Sequence, residues 1–137
     1  MPSSRFLFLN VGHSIDHLFM LMFPAVAALA AADLSASYGE VLKLATGSFI
    51  AFGVFSLPMG WLADRLSREF MMTVFFLGIG VAMILTGFSN EEWQIFVSLI
   101  LVGMFAAIYH PVGLAMVSQG GGDVGRRLGV NGVWGNM

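Results

Sequence analysis

His13, Asp16 and His17 are ionisable residues set inside a long apolar run. On a helix advancing about 100° per residue they share one face with Met20 and Pro24, and Asn10 lies at its edge. Two imidazoles at i and i+4 stand at metal-ligand spacing, with a carboxylate beside them. The same three groups can relay a proton, hold a polar substrate, or simply hydrogen-bond within a bundle. A metal centre lacks a third clear ligand at this spacing, so no metal and no cofactor is assigned. A second group, Tyr109-His110-Pro111, and two amides, Asn131 and Asn136, also fall in apolar surroundings. His13, Asp16, His17, Tyr109, His110, Asn131 and Asn136 together are the candidate proton or substrate pathway.

The elements that carry these residues follow from hydropathy. Of 137 residues, 58% are hydrophobic and 10% charged, and the mean hydropathy of +0.85 points to the bilayer as solvent. The absence of cysteine excludes a disulfide scaffold and a thiolate-ligated metal. A net charge of -2 with no basic stripe gives no sign of a nucleic-acid partner. Four segments, at about 6–32, 41–63, 70–88 and 93–118, are long enough to cross roughly 30 Å of hydrocarbon. A partial fifth runs over 128–137, and its ten residues span about 15 Å as a helix. The chain therefore reads as the start of something longer. A cleaved leader is disfavoured for the first segment, because His13, Asp16 and His17 interrupt its apolar core.

Short connections at Asp33–Glu40, Asp64–Glu69 and Ser89–Glu92 imply antiparallel neighbours. Gln119–Arg127, with Gly120, Gly121, Gly122 and Gly125, reads as a mobile turn. The third span has no ionisable residue and is expected to face lipid, whereas the first and fourth should line the interior. Their polar groups share a depth. With midpoints near Phe19 and Phe105, His13 lies roughly 9 Å and His110 roughly 7.5 Å toward the same side. Pro24, Pro58 and Pro111 are candidate helix bends. Arg5, Arg65, Arg68, Arg126 and Arg127 fall on one side of the four-span arrangement and Lys43 on the other. The positive-inside rule then puts the N-terminus in the cytoplasm of a multi-pass protein of the inner (plasma) membrane.

Asp64 sits at the end of the second span, where the helix dipole disfavours an anion, so it needs a partner such as Arg68 at i+4 or Arg65. Gly60, Asp64, Arg65 and Arg68 give the order Gly-x-x-x-Asp-Arg-x-x-Arg. That order resembles the signature loop between the second and third helices of the major facilitator superfamily. Ser67 stands where the family usually has glycine, and Glu69 replaces its last basic residue. A narrower resemblance rests on Tyr109-His110-Pro111-Val112-Gly113, on Gly129–Asn136, and on His13-x-x-Asp16 with Pro24. These look like the fosmidomycin-resistance branch, which often has Glu in place of Val112 and Asn-Asp in place of Asp16-His17.

The resemblance implies an all-α integral membrane fold: helices 1–4 and the start of helix 5 of a twelve-helix bundle in two halves. It implies alternating access, a latch between Asp64 and the C-terminal half, and proton-driven export of a small molecule or drug. The implied partners are the lipid bilayer, a small-molecule substrate, protons and the missing C-terminal half. No enzyme motif and no nucleotide-binding loop are present. Two alternatives are a self-standing four-helix protein that forms a homo-oligomeric exporter or channel, and a non-transporting membrane scaffold.

Overall fold

The computed structural model describes residues 2–137. It contains seven helices among those residues: α1 (Ser3–Asp33), α2 (Tyr38–Leu44), α3 (Thr46–Arg65), α4 (Arg68–Gly87), α5 (Glu92–Ala106), α6 (Tyr109–Ser118) and α7 (Val124–Gly135). Four stretches are long and apolar enough to cross a membrane: Ser3–Asp33, Tyr38–Arg65, Arg68–Gly87 and Glu92–Ser118. Two of the four are each built from two helices.

Both interruptions have local causes. At Ala45 the chain tightens: the Ala45 N–H donates to Leu42 O, and Ser48 Oγ donates back to Ala45 O at 2.8 Å. Side-chain bonds of this kind compete with the helical ladder and bend it. The fourth span breaks at Ala107–Ile108 rather than at Pro111 itself. Proline lacks an N–H and crowds the carbonyl four residues earlier, which here belongs to Ala107. Pro24 and Pro58 lie inside α1 and α3, and neither helix is interrupted there.

The ends are set by capping. Ser37 and Glu40 form a reciprocal box that starts α2 at Tyr38, earlier than hydropathy placed it. Ser67 Oγ accepts from Phe70 N–H at 3.1 Å and starts α4. Asp123 accepts from Arg126 N–H at 3.0 Å and starts α7 at Val124. The turn expected over Gln119–Arg127 is therefore shorter, and the fifth helix begins before Leu128. In that turn Gly121 and Gly122 have φ of 76° and 73°, a left-handed conformation that favours glycine.

α5 packs between α3 and α4, α1 packs along α7, and α6 meets α1, α3, α4 and α7. Small residues permit this closeness. A Cβ on Gly103 would lie 2.0 Å from the Ser48 carbonyl oxygen, so α5 and α3 touch backbone to backbone. One core gathers Leu9, Met71, Phe75, Val102, Tyr109 and Val112; a second joins Phe23, Ala27 and Ala31 to Val41, Ile95 and Leu99. The expectation that the third span faces lipid holds for one side of α4. Leu77, Val81 and Ile84 point outward, while Met71, Met72, Phe75, Ile79 and Ala82 form a buried stripe.

Candidate functional site

The site lies where α1, α6 and α7 meet. Asp16 is 1% exposed, and its Oδ2 is 3.4 Å from His110 Nε2, a group 34% exposed. His13 stacks on Tyr109 with ring centroids 4.8 Å apart. His13 also approaches His17 at 4.9 Å and His110 at 5.3 Å between centroids. The shared depth expected for the first and fourth spans is thus a direct contact. The third imidazole that spacing along α1 did not supply comes from α6, and one ring nitrogen from each of His13, His17 and His110 lies within 4.8 Å of the others.

Beside the imidazoles runs a hydrogen-bonded polar seam. Tyr109 Oη donates to the Leu9 carbonyl at 2.7 Å. The Asn131 amide donates to Asn10 Oδ1 at 2.9 Å and to Tyr109 Oη at 3.0 Å. The Asn131 backbone carbonyl accepts from His13 Nδ1 at 2.8 Å. Ser14 Oγ donates to the Trp134 carbonyl. Buried polar groups need such partners, and these bonds tie α1, α6 and α7 together at one register. Glycines make the room. A Cβ at Gly113 would come within 2.8 Å of the Tyr109 ring, and one at Gly135 within 2.6 Å of His13.

Six of the seven expected pathway residues therefore meet: His13, Asp16, His17, Tyr109, His110 and Asn131. Asn136 does not. It is exposed, ends α7, and donates to the Gly132 carbonyl at 2.7 Å. Five positions beyond Asn131 means about 140° around the helix, so one amide facing inward turns the other out. Asn10 and Ser14 join the site although the sequence did not single them out as members. Asn10 sat at the edge of the His13 face, which was the available signal.

Three buried polar atoms have no hydrogen-bond partner among the described residues: His13 Nε2, Asp16 Oδ1 and His17 Nε2. A pocket of about 190 Å³ opens beside them, lined by Asp16, His17 and His110 with Met20, Phe49 and Phe52. Polar atoms held without partners next to an apolar pocket are suited to receiving a proton, an ion or a polar ligand group.

The charged hairpin is a separate region. Gly60 is inside α3, and a Cβ there would meet Pro111 of α6 at 3.2 Å. It serves helix packing rather than a loop. The turn itself is Leu66–Ser67. Asp64 is exposed and 3.7 Å from Arg68. Arg68 also donates to Gln119, and Arg65 lies 3.6 Å over the Trp61 ring. Glu69 pairs with Arg5. Arg127 lies over the Phe6 ring, 5.3 Å from its centroid. These contacts gather the α1 N-terminus, the α3–α4 turn and the α6–α7 turn at one end of the bundle.

The Major Facilitator Superfamily matches residues 11–137. The chain is 33% identical over 103 residues to the puromycin resistance protein pur8 of Streptomyces alboniger; the match takes in 75% of this chain and 20% of that protein. The chain thus spans a small part of that relative's length. No solved structure matches significantly. The apolar helical stretches, the signature order at Gly60–Arg68 and the match over nearly all residues agree: this chain is a multi-pass membrane protein belonging to the major facilitator superfamily.

Proposed function

We propose that the chain forms the N-terminal part of a secondary active transporter that works by alternating access and exports a small molecule against a flow of protons. The observation that carries this reading is Asp16: a carboxyl group 1% exposed within a membrane span, facing His110 from another helix. A carboxylate at such depth is costly unless it is paired or faces a polar cavity, and residues kept there at that cost mark transport pathways. It is also placed so that protonation would change its attraction to the neighbouring imidazole. Asp16 is the proton-coupling group in this reading, with His110 or His13 as its partner. The pocket beside it, with Met20, Phe49 and Phe52, suits an amphipathic compound. The relative's name concerns resistance to puromycin, which supports export of a drug-like compound.

The arginine-bearing end is the cytoplasmic face of the inner membrane in this reading, N-terminus included. Asp64, Arg65 and Arg68 form a latch to a C-terminal half, and Gly60 holds α3 against α6 behind it. Asp64 suits that role because it is exposed and its contact with Arg68 is long. The test uses the full-length protein in proteoliposomes with an interior pH dye. Gradients of drugs and metabolites should move protons with at least one compound, and Asp16→Asn should abolish that movement. Proton movement unchanged in Asp16→Asn would refute the assignment.

A further inference from the structure

The geometry points to a binding site for a divalent first-row transition-metal ion, of the zinc class, held by His13 and His17 of α1 and His110 of α6. The inference goes beyond transport and does not depend on it. Nitrogens of the three rings already lie within 4.8 Å of one another. Tetrahedral coordination at about 2.0–2.1 Å requires about 3.4 Å between them, a closure on the scale of small side-chain rotations.

The hydrogen bonds prepare these rings as ligands. His13 Nδ1 contacts a backbone carbonyl, that of Asn131, at 2.8 Å, and a carbonyl can only accept. Nδ1 therefore carries the hydrogen, and neutral His13 presents a lone pair at Nε2. That atom is buried and without a hydrogen-bond partner. His17 Nε2 is in the same condition. His110 faces Asp16 through Nε2. In the tautomer that donates this hydrogen, the lone pair of His110 is on Nδ1. A ligand imidazole anchored through its other nitrogen by a carbonyl or a carboxylate is the usual arrangement around bound zinc. The negative charge of Asp16 offsets part of the ion's charge, and its unpartnered Oδ1 or a water can complete the shell. Three imidazoles without a thiolate select zinc, nickel, cobalt or copper over calcium or magnesium.

The chain has three histidines in all, so every imidazole it owns is in this cluster. That makes the test clean, provided purification uses no histidine tag. The full chain in detergent micelles is titrated with Zn²⁺ by calorimetry and with Co²⁺ by visible absorption. The expected result is one ion per chain and the ligand-field bands of nitrogen-bound, four-coordinate Co²⁺. His17→Gln and His110→Gln should each weaken binding by at least about tenfold. Glu69→Gln, at the far charged pair, should leave it unchanged. Absence of one-to-one binding in the unsubstituted chain overturns the site, and that arm needs no variant to fold. Equal binding in both histidine variants also overturns it, since the ion would then be held adventitiously by carboxylates. Neither result bears on substrate-driven proton movement, so failure of the metal site and failure of the transport reading are separable.

Discussion

Two polar regions of this chain obey opposite physics. At the arginine end, Arg5–Glu69, Arg68–Asp64 and Arg68–Gln119 join side chains that are exposed or, for Arg68, half-buried. Such pairs contribute little, because water and salt already solvate and screen each charge. In the seam between α1, α6 and α7 the groups are neutral amides, a phenol and an imidazole, and Asn131 and Tyr109 are wholly buried. There each donor has one partner and no water to replace it. The charged region keeps its place at the membrane surface through solvation. The uncharged one fixes how three helices meet.

That contrast predicts a ranking of substitutions, read as unfolding free energy in micelles. Asn131→Leu should be the most damaging, at about 2–3 kcal/mol, because Asn10 Oδ1 and Tyr109 Oη lose the donor that faces them. A loss below that of a surface pair would collapse the comparison. Next is Gly135→Ala. Its Cβ would sit 2.6 Å from the His13 ring, and overpacking of this kind costs about 2 kcal/mol. The same variant should displace His13 and weaken zinc binding, which a purely local clash elsewhere would not do.

At the other region, Ser67→Ala removes the cap on Phe70 N–H and should cost about 1 kcal/mol. Ser67→Gly, the family's usual residue, should cost less, since glycine is tolerated at this position. Glu69→Gln is the smallest. The pair with Arg5 is exposed, so melting temperature should stay within error and show no change with added salt beyond that of the unsubstituted chain. A marked loss there would mean that the arginine end is a structural network rather than a solvated surface.

Part of this was legible beforehand. Four spans, the shared face of His13, Asp16 and His17, and the gathering of arginines at one end follow from hydropathy and helical period, which are properties of single segments. The signature order at Gly60–Arg68 identified the superfamily that the match over residues 11–137 establishes. The helix starts were less legible, because Ser37, Ser67 and Asp123 act through local side-chain bonds rather than through periodicity. The break in the fourth span shows a similar limit: Pro111 was visible, but its effect appears four residues earlier, at the carbonyl it crowds.

Hydropathy and spacing by themselves determined that this chain enters a membrane as antiparallel helices and which face of α1 is polar. Only the tertiary structure decided that His110 completes a trio with His13 and His17, that Asn131 turns inward while Asn136 turns out, and that Gly60 packs on Pro111 instead of serving a loop. The reason is physical. A helix's own period says which of its residues share a side, but which side meets which neighbour depends on where small residues let backbones approach and where buried donors find acceptors on another helix.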